Sequence, residues 1–253
     1  MIVGQLATDG LLVAVFHSAG SEHADQDRWM VQPFADVLRV AAIDGVTPWR
    51  GTECPGQDAG QWAASSVLGS LSLPMSIRDA LGEANARLHP PEITPSRRQN
   101  MCAVAAADCR REDAAVSFGA VVAADCEVWV AESGRSPLVL AAGGDYLRPD
   151  VRREWEQRQQ QLAGCSFDEL LLAESHLLDD PDTQICHAVG RYAHPEFRST
   201  SGVANTVVLA SDGACLQEAA DAGVGAHDFD TWLASVESRP VRDDFTCLRI
   251  TVA

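Results

Sequence analysis

Four aspartates stand beside stretches that look like buried strands, which sets them apart from the other acidic residues. Asp27 lies just before an apolar stretch, and Asp44 ends the run VLRVAAIDG. Asp212 ends TVVLASDG, and Asp243 shortly precedes FTCLRI. A carboxylate beside a buried strand costs free energy unless a counter-charge accompanies it. If the strands are neighbours, these four side chains meet at one edge of a sheet.

Divalent cations are the counter-charge that this composition favours, because the chain has no Lys and its 19 basic residues are all Arg. A cluster of oxygen ligands suits Mg²⁺ or Mn²⁺ better than Zn²⁺, which prefers His and Cys. Two such ions lower the pKa of a bridging water and polarise a phosphoryl oxygen, so hydrolysis needs no protein nucleophile. The dipeptides Asp44-Gly45 and Asp212-Gly213 also have a simpler interpretation as turns that end strands.

Short apolar stretches bounded by turn residues predict the strands that would position these acids. An N-terminal strand pair surrounds the Asp9-Gly10 turn, and further strands are predicted over 29–34, 37–43, 100–108, 114–123, 126–132, 137–142, 205–210 and 245–252. The stretch around Asp125 reads as a hairpin. Helical patterns cover 58–70, 76–88, 151–162, 166–178, 215–222 and 228–238.

The order of these elements predicts an α+β fold in one domain over 1–253. Strands come first, then two helices, then four strands, more helices and two closing strands. Because strands and helices do not alternate, a doubly wound parallel sheet is disfavoured. Two mostly antiparallel sheets with helices on their outer faces fit this order.

Charge and composition exclude several classes of protein. A formal net charge of −17 argues against nucleic acid or an anionic membrane as partner, because both present negative charge. No apolar run reaches the length of about 20 residues that crosses a bilayer, and the N-terminus lacks signal-peptide features. We therefore expect a cytoplasmic protein. The eight cysteines are scattered singly, which indicates buried reduced thiols.

Five short segments resemble motifs of the protein phosphatase 2C family, also called PPM-type serine/threonine phosphatases, and they occur in the family's order across the chain. They are Gln26-Asp27-Arg28, Ala42-Ile43-Asp44-Gly45-Val46, Val130-Ala131-Glu132-Ser133, Leu209-Ala210-Ser211-Asp212-Gly213 and Asp243-Asp244-Phe245-Thr246. The fourth segment matches best. The third falls where the family has a Gly-Asp-Ser motif after a strand.

The resemblance implies a four-layer αββα sandwich with a centre of two Mn²⁺ or Mg²⁺ ions. It implies hydrolysis of phosphoserine or phosphothreonine in a phosphoprotein substrate, by attack of a water that bridges the two ions. Carried over by position, the carboxylate ligands are Asp27, Asp44, Asp212 and Asp243. Gly45 would be a backbone ligand, and Glu132 would help to hold a third, weaker ion. We expect the chain to act as a monomer.

The chain departs from the family at the groups that contact substrate. Val46-Thr47-Pro48-Trp49 follows Asp44-Gly45 where the family has His-Gly-Gly, and Glu22-His23 stands near the usual phosphate-binding Arg. Neither residue can form the bidentate contact that Arg makes with phosphate. Arg28 or Arg50 is the candidate replacement, and His23 is the candidate proton donor to the leaving alcohol.

Three functions therefore remain open at this point. The chain is an active protein phosphatase, a binding module of the same fold with weak catalysis, or a metal-dependent hydrolase of a small phosphorylated metabolite. Retention of four aspartates favours the two enzymes, because an unpaired carboxylate cluster is costly without metal. A zinc site at Cys186, His187 and His194 is disfavoured, since no second ligand pair lies nearby.

Overall fold

The computed structural model describes residues 2–8, 10–20, 25–45, 59–89, 101–132, 136–144, 146–177, 179–240 and 243–253. The strands in these ranges are β1 Ile2–Thr8, β2 Leu11–Ser18, β3 Arg28–Phe34, β4 Val37–Gly45, β5 Cys102–Glu112, β6 Ala115–Ala123, β7 Glu127–Ala131, β8 Val139–Ala142, β9 Arg198–Ala204, β10 Thr206–Ala210 and β11 Phe245–Val252. The helices are α1 Ala59–Leu71, α2 Ile77–Leu88, α3 Pro149–Gln161, α4 Phe167–Leu177, α5 Leu216–Asp221 and α6 Phe229–Glu237.

The strands form two sheets, and each described pair of neighbours is antiparallel. One sheet has six strands in the order β1-β2-β11-β10-β7-β8, and the other has five in the order β3-β4-β5-β6-β9. Strands β1 and β2 pair as predicted, with Thr8 opposite Leu11, and Asp9 of the predicted turn lies outside the described residues. Gly10 has a φ of 75°, which a glycine adopts without steric cost.

Three layers of apolar contacts stack these elements into a four-layer sandwich. The inner faces of the two sheets pack on each other through small and branched side chains, most of them fully buried. Helices α1 and α2 cover the outer face of the five-stranded sheet. Helices α5 and α6 cover the six-stranded sheet. The predicted α+β fold, with helices outside two antiparallel sheets, is confirmed.

Helices α3 and α4 lie outside this stack, in the segment between β8 and β9. Leu147 and Trp155 form their own small apolar cluster. The hydroxyl of Tyr146 donates to a carboxylate oxygen of Glu174 at 2.9 Å, which links the start of this segment to α4.

Two predictions about strands are wrong. Residues Arg198–Ala204 form a strand that the sequence did not predict, because RSTSGVA is polar and almost wholly exposed at the sheet edge. The stretch around Asp125 is not a hairpin. Strand β6 pairs with β5 and β9, whereas β7 pairs with β10 and β8, so the chain crosses at Asp125 from one sheet to the other.

The cysteines described are free thiols, as expected, and most are buried; Cys165 is exposed and Cys215 half-buried. Cys54 lies outside the described residues. No helix in the described ranges is long and apolar enough to span a membrane.

Candidate metal centre

The acidic residues meet at one end of the sandwich, between the two sheets. Antiparallel pairing of Arg28 with Ile43 brings Asp27, before β3, beside Asp44, near the end of β4. Pairing of Ala210 with Cys247 likewise brings the loop after β10 beside the residues before β11. The sequence predicted one sheet edge, but the cluster draws two acids from each sheet.

Asp244 and Ser211 hold Asp27 in place from the opposite sheet. The Oδ2 atom of Asp244 accepts from the backbone N–H groups of Gln26 at 2.8 Å and of Asp27 at 3.0 Å. The Ser211 hydroxyl donates to Oδ2 of Asp27 at 2.8 Å. Asp27 and Asp244 are buried, so these bonds tie the ends of the two sheets together in a site shielded from water.

Asp44 lies at the electrostatic centre of the cluster. Burial raises the pKa of its carboxyl well above the ordinary value, and the negative charges of Asp27, Asp212, Asp125 and Asp244 raise this pKa further. The ionised form of such a group is disfavoured unless a cation compensates the charge around it. The arrangement therefore favours a bound cation.

The other acids show the same effect from the same causes. The pKa of Asp27 is raised well above its usual value, first by burial and then by Asp244. Asp212 is partly exposed, but desolvation by the surrounding protein raises its pKa, and its side chain hydrogen bonds with Asp44. Desolvation, with Asp212 as the next cause, raises the pKa of Asp125 to about 8. Asp243 is exposed, and its pKa is raised to about 7 by desolvation and by its bond to Asp244.

Two buried carboxylate oxygens at this end accept no hydrogen bond from the described residues. They are Oδ1 of Asp27 and Oδ1 of Asp25. A buried charged oxygen without a donor is costly, so each is suited to a cation. Within the described ranges, no three acidic, His or Cys side chains already surround a common point that could hold an ion. The acids instead bond to one another and to neighbouring donors, and the donor set fits a hard divalent cation in its chemistry.

The glycines that follow Asp44 and Asp212 lie so close to neighbouring backbone atoms that no residue with a side chain would fit. A Cβ atom at Gly45 would lie 2.5 Å from the carbonyl oxygen of Gly60, in the first turn of α1. A Cβ atom at Gly213 would lie 2.1 Å from the carbonyl oxygen of Asp244. Each of the two Asp-Gly sequences therefore has a glycine because the backbone makes a close contact there, and the simpler interpretation as turns is incomplete.

Glu132 does not join this cluster. It follows the last residue of β7, and Ala131 pairs with Thr206, at the start of β10. Asp212 follows the end of β10, beside the first residue of β7. Strand β7 has five residues, and at about 3.3 Å per residue Glu132 lies on the order of 15 Å from the cluster. This register corrects the predicted position of the third-ion ligand. Asp125, at the other end of β7, lies among the acids, whereas Glu132 does not.

A pair of matched substitutions tests this correction. We expect Asp125→Asn to raise the Mn²⁺ concentration for half-maximal binding by about 10-fold or more, because it removes a charge from the cluster. We expect Glu132→Gln to leave Mn²⁺ binding unchanged, since this exposed side chain lies at the far end of the strand. Calorimetric titration of both variants decides between the two positions. Weaker Mn²⁺ binding by Glu132→Gln but not by Asp125→Asn would favour Glu132 as the ligand.

The residues predicted to contact the phosphate or to supply a proton do not form a described site. Arg28 directs Nη1 to the backbone carbonyl of Asp27 at 2.6 Å and to that of Asp25 at 3.4 Å. The guanidinium therefore stabilises the loop that precedes β3. Arg50 and His23 lie outside the described residues.

Sequence reasoning missed three residues of this region: Asp125, Asp244 and His17. Asp125 follows the strand GAVVAA, the same strand-end signal that identified Asp44, but it was interpreted as a hairpin turn. Asp244 is next to Asp243, and only the fold shows which of the two is buried. His17 ends a strand that was predicted, and its partners are distant in sequence. The disfavoured zinc pair is structural, since His187 accepts from the Glu196 backbone N–H through Nδ1 at 2.9 Å.

Comparison with known proteins gives matches in structure and none in sequence. No protein-family model matches the chain, and no curated protein sequence matches it. A solved serine/threonine phosphatase of S. agalactiae superposes with a TM-score of 0.63 at 13% identity, covering 96% of this chain and 100% of the other. The chain has the protein phosphatase 2C fold. The resemblance drawn from the five motifs is thereby confirmed at the level of the fold.

Two further structures with this fold carry informative descriptions. RsbX in complex with magnesium has a TM-score of 0.61 at 7% identity, and the match covers 100% of both chains. PppA, described as a key regulatory component of the T6SS in Pseudomonas aeruginosa, has a TM-score of 0.61 at 15% identity. That match covers 96% of this chain and 98% of PppA.

Proposed function

We propose that this protein is a metal-dependent phosphatase that hydrolyses phosphoserine or phosphothreonine in proteins. The observation that carries the proposal is the cluster of Asp27, Asp44, Asp125, Asp212 and Asp243 between two sheets of the phosphatase 2C fold. Its acids have raised pKa values and include a buried oxygen that no described group satisfies. Such a cluster is costly to keep unless a cation binds there.

The residues that would hold the ions are the five aspartates, with the Gly45 carbonyl as a backbone ligand. Mn²⁺ or Mg²⁺ fits this set, because both ions prefer oxygen ligands. When bound, two such ions would lower the pKa of a shared water and polarise the phosphoryl oxygen of the substrate. A third, weaker ion would rest on Asp125, in place of the Glu132 ligand that the sequence suggested.

The chain's own residues prepare the site for this chemistry. Ser211 and Asp244 fix Asp27 before any ion binds, so little reorganisation accompanies binding. Asp44 is surrounded by like charges, and this makes its carboxylate a strong partner for a cation. Burial of Asp27 excludes water from its free oxygen.

The substrate class rests on the structures with this fold, of which several are described as serine or serine/threonine phosphatases. The net charge of −17 disfavours nucleic-acid substrates, whose phosphates it repels. Action as a monomer, a cytoplasmic location and the absence of membrane partners stay predictions.

Hydrolysis assays with a matched variant test the proposal. Wild type and Asp212→Asn are compared on an aryl phosphate and on a phosphothreonine peptide, each with Mn²⁺, Mg²⁺ or chelator. We expect Mn²⁺-dependent turnover of both substrates that chelator and the substitution abolish. Turnover of the aryl ester alone would indicate a metabolite hydrolase instead. Metal binding without turnover would indicate a binding module.

The raised pKa values predict how the stability of the metal-free protein depends on pH. An acid whose pKa is higher in the folded state stabilises the fold below its ordinary pKa, and this contribution is lost as pH rises through the folded value. That value is about 8 for Asp125 and about 7 for Asp243. With chelator present, the thermal midpoint should therefore decrease as pH rises from about 4, near the ordinary pKa, to about 8.

Added Mn²⁺ should reverse this trend, because the ion binds the deprotonated acids and stabilises the folded state by mass action. Differential scanning calorimetry over a range of pH, with chelator and with Mn²⁺, measures how the thermal midpoint changes with pH in each condition. A midpoint that rises with pH in chelator would contradict the prediction, and Asp125→Asn should make the fall shallower.

A further inference from the structure

A buried histidine lies beside the candidate metal centre and bonds through both ring nitrogens. His17 is near the end of β2 and is only 8% exposed. Its Nδ1 lies 2.9 Å from the hydroxyl of Thr246, and its Nε2 lies 2.9 Å from Oδ2 of Asp25. Because each nitrogen has its own partner, the ring cannot flip or turn without losing a hydrogen bond.

Both partners of His17 lead to Asp27. Thr246 pairs with His17 across β11 and β2, and its side chain hydrogen bonds to the Asp27 carboxylate. Its backbone N–H donates to the Ser211 hydroxyl at 2.9 Å, and that hydroxyl in turn donates to Asp27. On the other side, Asp25 precedes Asp27 by two residues in the same loop.

We propose that His17 is a positioning residue of the metal centre, which orients Asp27 through Thr246 and Asp25 so that Oδ1 of Asp27 stays free for the ion. The inference rests on the proposed function, since it assigns a role toward the same ions. Groups that orient metal ligands through hydrogen bonds commonly change metal affinity when they are removed.

The loop is also held independently of His17, which separates orientation from folding. The backbone carbonyl of Asp25 accepts from Nε2 of Gln61 at 2.9 Å. Asp244 holds the next two backbone N–H groups of the loop. A substitution at His17 therefore leaves the course of the loop fixed while it frees the side chains of Asp25 and Thr246.

Two amide substitutions separate the two bonds of the ring. His17→Asn places an amide near the position of Nδ1 and keeps the bond to Thr246. His17→Gln reaches the position of Nε2 and keeps the bond to Asp25. Because Thr246 contacts Asp27 directly, we expect the Asn variant to retain metal affinity better than the Gln variant.

Calorimetric titration with Mn²⁺ tests the role of His17, with thermal unfolding in chelator as a check on folding. We expect His17→Gln to raise the half-saturating Mn²⁺ concentration by about 10- to 100-fold and His17→Asn to raise it less. The control is Ser18→Ala, because Ser18 is the next residue and its hydroxyl donates to Glu237 at 3.3 Å, outside the network. Ser18→Ala should bind Mn²⁺ as wild type does.

The outcomes distinguish this inference from the proposed function. If wild type binds no Mn²⁺, the proposed metal centre fails, and the positioning role fails with it. If wild type and both folded His17 variants bind Mn²⁺ equally, the positioning role is overturned and the metal centre stands. If a His17 variant does not fold, Thr246→Val takes its place with an expected loss of affinity, because it removes the hydroxyl that links His17 to Asp27 and keeps the shape of the side chain. Unchanged affinity in that variant would also overturn the role.

Discussion

Asp44→Asn is expected to reduce Mn²⁺-dependent hydrolysis by at least about 100-fold, an effect as severe as that expected of Asp212→Asn. Four neighbouring acids act on Asp44, and their negative charges raise the pKa of its carboxyl beyond the effect of burial. The amide keeps the shape of the side chain but removes the negative charge that would bind two ions. Turnover of an aryl phosphate over a range of Mn²⁺ concentrations measures the effect.

The control for this substitution is Asp36→Asn. Asp36 lies in the turn at the opposite end of the β3–β4 pair, where it is exposed and forms a surface ion pair with Arg110. We expect this variant to keep full activity. Loss of activity in both variants would point to the fold and not to the cluster, and full activity of Asp44→Asn would contradict the proposed role.

Arg39→Met is expected to destabilise the protein by about 3–5 kcal/mol, the largest stability effect that we predict. Arg39 is 3% exposed, and its guanidinium is fully occupied. Nε and Nη2 bind the two carboxylate oxygens of Asp108 at 2.7 and 3.0 Å. The same group donates to the carbonyl oxygens of Leu71, Leu73 and Met75, at 3.2, 3.3 and 2.8 Å.

These bonds attach α1 to the five-stranded sheet. The carbonyl of Leu71, the last residue of α1, lacks a partner within the helix, and the buried charge of Arg39 on β4 satisfies it. Met fills a similar volume but removes the bonds to Asp108 and to the carbonyl oxygens of Leu71 and Met75. Urea unfolding measures the loss, and Arg110→Met, which removes only the exposed pair with Asp36, should cost about 1 kcal/mol or less. Equal losses in the two variants would contradict the role of Arg39.

The sequence predicts most of the fold, because strand ends and apolar runs are local signals. Asp27, Asp44 and Asp212 were found since each stands where a buried strand begins or ends, and antiparallel pairing brings such ends together. Helices α1, α2, α5 and α6 were predicted within a few residues of their bounds for the same reason, since each has apolar residues that pack on a sheet.

The remaining errors depend on contacts between residues far apart in sequence. The stretch GAVVAADCEVWV has the local pattern of a hairpin, and only the packing of two sheets separates β6 from β7. The assignment of Glu132 to a third ion followed the motif resemblance, whereas the register of β7 places Asp125 among the acids. Strand β9 was not predicted because it is an exposed edge strand and its sequence has no apolar face. The link from His17 to Thr246 spans 229 residues, so no local pattern indicates it.

The most direct test of the metal centre is titration of Mn²⁺ into chelator-treated protein near neutral pH, followed by calorimetry in buffers of different ionisation enthalpy. The account predicts that at least about two ions bind per chain and that protons are released, because Asp44, Asp125 and Asp27 hold protons more firmly than usual when no ion is present. Asp44→Asn should abolish this signal. Absence of Mn²⁺ binding to the folded wild-type protein would contradict the account.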